Sequence, residues 1–280
     1  MIWRCRDVTF DLSARTLVMG ILNVTPDSFS DGGRYLDPDA AIARGRELLA
    51  QGADLLDLGA ESTRPGSVAV EAAEQIRRLE PVVRALVAQP GAVLSVDTRS
   101  AEVAARALEW GAHVVNDVSA LGDPDMAKTV APTGAGLVLM HMRGTPATMQ
   151  SDLRYDDVVA EVSDHLRRRM AAAVSAGVAE ERIALDPGIG FGKAAEHSMR
   201  LLARTDDLTR LGRPILVGAS RKSFLARLLG DAPPERRLEA SLAAATIAAV
   251  FGARILRAHD VAETVRAVRI AEAARAARTK

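Results

Sequence analysis

Eight stretches of this chain end in groups able to hold a polar substrate: Asn23; Glu61-Ser-Thr-Arg-Pro-Gly66; Asp97-Thr98; Asn116-Asp117; His141-Met-Arg143; Asp186-Pro-Gly-Ile-Gly-Phe191; Ser220-Arg-Lys-Ser223; and Arg257-Ala-His259-Asp260. A lone Asp or Asn after an apolar run is usually a turn or a helix cap. Eight in succession call for a common reason. The groups divide by chemistry. Thr63, Arg64, Ser220, Arg221, Lys222, Ser223, Arg257 and His259 are cationic or otherwise suited to phosphate. Arginine forks and a helix N-terminus after Ser220 suit an oxyanion with several charges, such as pyrophosphate. Asp97, Asn116 and Asp186 are acceptors, with Met140 and Phe191 nearby as apolar walls. Carboxylates and amides around an apolar slot suit a flat heterocycle with amino and amide edges.

Other familiar chemistries are missing. Gly188-Ile-Gly-Phe-Gly-Lys193 has the wrong spacing for a nucleotide phosphate loop, and Ala194 stands where Ser or Thr is required. No nucleophile elbow precedes a plausible triad. The five histidines, at positions 113, 141, 165, 197 and 259, lack zinc-ligand spacing. His259, two residues from Arg257, is the histidine expected to be functional. His141 is expected to support its loop, and His113, His165 and His197 to pack or face solvent.

These groups need a scaffold that brings them together. Apolar runs over 17–24, 54–59, 93–97, 113–117, 137–141, 183–186, 215–218 and 254–257 predict eight strands. Between them, helix-like composition covers 38–51, 71–87, 101–110, 124–131, 155–176, 195–209, 238–251 and 262–276. Gly52, Gly111 and Gly212 stand at helix C-cap positions. Near-continuous apolar strands alternating with helices imply a parallel sheet covered on both faces. Eight such units predict a single α/β domain over residues 1–280, a (β/α)8 TIM barrel. A doubly wound open sheet is the rival. Residues 2–12 alternate apolar and polar and predict a small hairpin closing the N-terminal end of the barrel. In such barrels chemistry gathers at the C-terminal ends of the strands, where the eight polar clusters fall.

Composition narrows the function classes. The chain has 280 residues, with 36 basic and 36 acidic side chains in balance, so it carries no electrostatic footprint for nucleic acid. A local basic cluster still suffices for an anionic substrate. The single cysteine, Cys5, cannot form an internal disulfide and is read as structurally incidental, which makes a reducing cytoplasm the default. The N-terminus is charged where a signal peptide needs an apolar core. The longest apolar stretch, 242–253, is too short to span a bilayer, so no membrane partner is expected.

With these residues assembled, the chain closely resembles the dihydropteroate synthases of folate biosynthesis over almost its full length. The likeness rests on Leu22-Asn-Val-Thr-Pro-Asp-Ser-Phe-Ser-Asp-Gly-Gly33, Glu61–Gly66, Asp97-Thr98 and Asn116-Asp-Val118. It continues through His141-Met-Arg-Gly-Thr-Pro146, Asp186–Phe191, Ser220-Arg-Lys222 and His259-Asp-Val261. Ala60 and Ala258 depart from the family pattern, and neither removes a polar group.

The resemblance implies that p-aminobenzoate attacks the methylene of 6-hydroxymethyl-7,8-dihydropterin diphosphate, giving 7,8-dihydropteroate and pyrophosphate. It implies that Asp97, Asn116, Asp186 and Lys222 hold the pterin edges, with Val118, Met140, Phe191 and Gly218 completing that pocket. Thr63, Arg64, Arg257 and His259 would hold the diphosphate, and Asn23 would contact a Mg2+ coordinated mainly by diphosphate oxygens. Phe29, Pro65 and Lys222 would bracket the aminobenzoate, with Ser223 facing its carboxylate. Residues 25–36 and 62–70 would form a lid. Homodimerisation is expected by the same resemblance, with the alanine-rich helices 238–251 and 262–276 as candidate surfaces. Two alternatives share the pterin pocket. Barrels that transfer a methyl group from methyltetrahydrofolate to a corrinoid would leave Arg64, Lys222 and Arg257 without a role. A pterin-binding relative that has lost catalysis is the other, although every expected polar position is filled.

Overall fold

The computed structural model describes residues 1–13, 15–25, 37–62 and 66–278. Phe29, Thr63, Arg64 and Pro65 lie outside the described residues, as do all but Thr25 of the first lid candidate and the centre of the second.

The chain opens with an antiparallel hairpin, β1 (Ile2–Cys5) and β2 (Val8–Asp11). Eight parallel strands follow: β3 (Leu17–Asn23), β4 (Leu55–Gly59), β5 (Leu94–Asp97), β6 (Val114–Asp117), β7 (Gly136–Met140), β8 (Ile183–Asp186), β9 (Leu216–Val217) and β10 (Ile255–Ala258). They pair in the order β8-β7-β6-β5-β4-β3-β10-β9. A parallel bridge between Leu185 and Ile215 joins the two outer members and closes the ring. The chain is therefore a (β/α)8 barrel rather than an open sheet, and every strand expected from the sequence forms within a residue or two of its expected bounds.

The strands read as continuous apolar runs because their two faces meet different neighbours. Val18, Leu22, Leu56, Leu58 and Val96 point outward into the layer of helices. Leu17, Met19, Leu55, Val93, Val114, Val138, Ala184, Leu216 and Ile255 point inward at the N-terminal end of the barrel. Trp3, Cys5 and Leu12 join that inner cluster. The hairpin thus closes the bottom as expected, and the Trp3 indole N–H donates to the Arg182 carbonyl at 2.9 Å. Cys5 is fully buried there, where desolvation raises its thiol pKa far above the ordinary value.

The helical layer follows its local signals. Asp37 caps α1 (Pro38–Ala50) by accepting from the backbone N–H of Asp39 and Ala40. Gly111 follows α3 (Ala101–Glu109), itself preceded by α2 (Ala72–Val87), at a φ of +105°, a conformation that only glycine adopts without strain. After α4 (Met126–Val130) comes α5 (Val158–Ser175), which begins later than expected because Asp157 caps it, accepting from Val159 and Ala160.

The helix expected over 195–209 divides into α6 (Ala195–Ala203) and α7 (Thr205–Thr209). Arg204 leaves the helical region at φ −116°, ψ 29°, and the buried Thr205 hydroxyl donates to the Leu202 carbonyl at 2.9 Å. A side chain that bonds back to the preceding turn competes with the backbone ladder. A short α8 (Ser223–Leu228) then places Ser223 at a helix start, as expected. The barrel finishes with α9 (Leu238–Val250) and α10 (Val261–Arg278). Among the described residues no helix is long and apolar enough to cross a membrane.

Candidate active site

Side chains of a strand alternate between faces, so the residue two beyond an inward apolar residue also points inward. From Leu55 this rule reaches Asp57, and from Val93 it reaches Ser95 and then Asp97. From Val114 it reaches Asn116; from Val138, Met140; from Ala184, Asp186; from Ile255, Arg257. The apolar bottom layer is thus continued upward by a polar layer at the C-terminal mouth.

Arg257 stands at its centre. Its Nε donates to Asp57 Oδ2 at 2.5 Å, and its Nη2 donates to Asp97 Oδ2 at 2.9 Å. Asp57 Oδ1 accepts from the Ser95 hydroxyl at 2.6 Å, while Oδ2 also accepts from Asn116 Nδ2 at 2.9 Å. The other amide atom, Asn116 Oδ1, is buried and has no hydrogen-bond partner among the described residues. An unpaired buried acceptor costs about 1–3 kcal/mol, which a ligand's N–H would recover. Burial pushes Asp97 up to about 7; Arg257 lowers it, and Asp57 and Glu61 add to the rise.

Lys222 and Asp186 form the adjacent wall. The Lys222 ammonium donates to the Ile189 carbonyl and lies 4.3 Å from the centroid of the Phe191 ring, a cation–π contact. Burial pulls its pKa down to about 8, with Asp186 and Asp97 acting to raise it and Arg257 to lower it. Asp186 Oδ1 accepts from the Gly188 N–H at 2.7 Å, and burial raises its pKa. Gly218 lies between Arg257 and Lys222: a Cβ there would stand in ordinary contact, 3.6 Å from Arg257 Cβ and 3.9 Å from Lys222 Nζ. The mouth therefore holds two cations and several acid or amide acceptors, with the Phe191 ring against the Lys222 ammonium.

A family model described as pterin binding enzyme matches residues 19–259. The chain is 46% identical over 256 residues to the dihydropteroate synthase of Escherichia coli, an alignment covering 91% of this chain and 90% of that one. The chain belongs to the dihydropteroate synthase family. Two solved structures of the Xanthomonas albilineans dihydropteroate synthase superpose on it closely. The one with 4-aminobenzoic acid gives a TM-score of 0.92 at 46% identity and covers 99% of both chains. The one in complex with 7,8-dihydropteroate gives 0.88 at 44% identity, again covering 99% of both.

As a dihydropteroate synthase relative, the chain places its remaining expected residues as follows. His259 sits at the end of the last strand, with Nδ1 3.1 Å from Ser220 Oγ, so these two expected residues meet. Asn23 ends β3 half-buried, Val118 is buried beyond β6, and Ser223 is exposed at the first position of α8. Arg221 makes a bidentate pair with Asp260, which commits its fork to bracing the loop. His141, His165 and His197 gather with Tyr155 below the rim, as packing residues do.

Three side chains matter here to which the sequence reading gave no role of their own. Asp57 lies in the middle of a strand rather than at its end, and a charged residue within Leu55-Leu-Asp-Leu-Gly59 was the available signal. Glu61 pairs with Arg99 at 2.8 Å and accepts from the Val70 N–H at 3.2 Å, which fixes the chain at Val70. Lys193 is buried, and its amine donates to the carbonyls of Gly188 at 3.0 Å and Phe191 at 2.9 Å. It also reaches the His141 carbonyl at 3.3 Å. The glycine-rich segment 188–193 is thus tied down by its own lysine.

Proposed function

We propose that this chain condenses 6-hydroxymethyl-7,8-dihydropterin diphosphate with p-aminobenzoate to give 7,8-dihydropteroate and pyrophosphate. The observation that carries this is the convergence of Asp97, Asn116, Asp186, Lys222 and Arg257 on one mouth, in a chain of this family. Asp97, Asn116 and Asp186 accept from the amino and ring N–H groups of the pterin, and Lys222 donates to its oxygen edge.

In the reaction the C–O bond from the methylene to the diphosphate breaks and its electron pair leaves with pyrophosphate. The amine nitrogen forms the new C–N bond and sheds a proton. An arylamine is a modest nucleophile, so most of the barrier is lowered at the leaving group, where Thr63, Arg64, Arg257 and His259 are assigned. Positive character left on the methylene spreads into the ring, and ionised Asp97 or Asp186 favours that cationic species. Displacement is therefore loose, with hydrolysis as its competitor unless the segments 25–36 and 62–70 exclude water.

Mg2+ fits this scheme through Asn23. Among the described residues no group of three acidic, histidine or cysteine side chains could cage a metal. A single amide oxygen suits an ion that takes most of its ligands from phosphate and water. When bound, Mg2+ would neutralise charge on the diphosphate. Phe29, Pro65, Lys222 and Ser223 are assigned to the aminobenzoate. Self-association belongs to the same proposal; Ile270 of α10 is 69% exposed, and sedimentation velocity tests it.

The deciding experiment measures pyrophosphate release from the dihydropterin diphosphate with Mg2+, with and without p-aminobenzoate. Release that depends on the amine, with dihydropteroate formed in step, is expected. Tight pterin binding without that dependence would mark a relative that has lost catalysis.

A further inference from the structure

Asp57 is fully buried, makes three side-chain contacts in the polar layer, and has no part in the chemistry above. Its Oδ2 accepts from Arg257 Nε, and a guanidinium can only donate. Oδ2 is therefore an acceptor whatever the state of the other carboxyl oxygen. The amide atom of Asn116 that faces it at 2.9 Å must then be the NH2 group. Turning the amide over would set two oxygens against each other in a buried site, at a cost no nearby donor offsets. The remaining atom, Oδ1, is consequently committed to face away from Asp57, and it has no partner among the described residues.

An isolated asparagine is indifferent to donors and acceptors, because rotating its amide presents either one. Asn116 has lost that freedom. We propose that Asp57 is a positioning residue that locks the Asn116 amide with its carbonyl toward the ligand, so that the pocket demands a hydrogen-bond donor there and rejects an acceptor. The proposal rests on the pterin reading of the pocket and deepens it into a statement about specificity. A site built to pair one polarity rejects the other strongly, because the mismatch leaves two buried groups unpaired. Arg257 keeps Asp97 as a partner if Asp57 is changed, so the effect on Asn116 is separable from loss of the cation.

The test compares the affinity of a parent 6-hydroxymethylpterin with analogues in which each edge N–H is replaced in turn by an acceptor nitrogen or by C–H. Titration calorimetry reads each Kd. In the wild type, one acceptor replacement is expected to weaken binding about 10- to 100-fold more than the others. Asp57→Ala should bring that replacement into line with the rest, since without the shared acceptor the Asn116 amide is free to turn either face to the ligand. Ser95→Ala removes only the contact to Oδ1 and should retain the discrimination. A uniform loss of affinity across all ligands in Asp57→Ala, with the wild-type pattern intact, would overturn the proposal.

Hydrogen exchange of the Asn116 side-chain amide in the unliganded wild type gives a second reading that needs no variant. Protected NH2 protons are expected, and solvent-rate exchange would also overturn the proposal. If the wild type bound no pterin, the functional reading would fail, and the exchange rate would still decide the role of Asp57.

Discussion

Lys193 Nζ lies 2.8 Å from Nδ1 of His141, joining the loop after β8 to the loop after β7 beneath the mouth. Burial drives the His141 pKa down to about 2, with the Lys193 charge adding to the effect, so the imidazole stays neutral. Burial also pulls the Lys193 amine well below its ordinary value, so the contact joins two groups that are both pushed towards their neutral forms. Replacing the amine with an apolar chain leaves the carbonyls of His141, Gly188 and Phe191 without this donor. At about 1–3 kcal/mol for each orphaned group, Lys193→Met should lower unfolding stability by at least about 2 kcal/mol. Urea denaturation checks this, and an unchanged midpoint would remove Lys193 from the account of how this rim is held.

The same two loops meet at the most closely approached glycine among the described residues. At Gly188, φ is +65° and a Cβ would stand 1.8 Å from the His141 carbonyl oxygen. Gly91 has a similar φ of +75° with nothing within 4 Å. Gly91→Ala should therefore report only the left-handed backbone cost of about 1–2 kcal/mol. Gly188→Ala should lose more stability than this and weaken pterin binding as well. Equal losses in the two thermal melts would mean that the close approach is not what selects glycine at position 188.

The pH profile should be narrow. Burial raises Asp97 to about 7, and the ionised form is the one that accepts from the pterin, so kcat/KM should climb as pH rises through that value. Burial lowers Lys222 to about 8, and its charged form is lost as pH rises further. The outcome is a bell between the two. Lys222→Arg should carry the alkaline limb out of range, because a guanidinium stays charged past pH ~12. An alkaline limb that stays in place would assign it to another group. Stability responds to Asp97 as well. The unfolded chain releases this proton near the ordinary 3.8 and the folded chain near 7, so this group's contribution falls as pH rises across that interval.

Binding and leaving-group functions should separate by mutation. Asp186→Asn exchanges an acceptor for a donor at a buried ring edge and should weaken pterin binding about 10- to 100-fold, measured as Kd. Arg64→Ala should chiefly depress kcat at saturating Mg2+, in single-turnover measurements of pyrophosphate release. Unchanged turnover in Arg64→Ala would sink the leaving-group assignment. Chelation of Mg2+ with EDTA should abolish turnover while leaving the binding of a pterin that lacks the diphosphate intact.

The barrel was legible because short apolar runs, buried on both faces, alternate with stretches of helical composition, and each run ends in polar residues. The rim residues Asp97, Asn116, Asp186 and Arg257 were found by asking what stands where an apolar run stops. Asp57 escaped that question because its strand continues through Leu58 and Gly59 before it ends. Counting by twos from Leu55 would have reached it. Lys193 escaped for a different reason: once Gly188–Lys193 failed as a phosphate loop, nothing in the local spacing said that the lysine turns inward to bind carbonyls. The break at Arg204 depends on a single hydroxyl bonding backward, a choice that periodicity cannot register.

The hairpin that seats Trp3, Cys5 and Leu12 under the barrel makes the interior a dead end instead of a tunnel. Two substrates and two products must share one doorway. The acceptors assigned to the ring stand on the inner strand faces, and the Ser223 assigned to the aminobenzoate is exposed at the rim. On those assignments the ring-bearing substrate must enter before the amine, which then stands between it and the solvent.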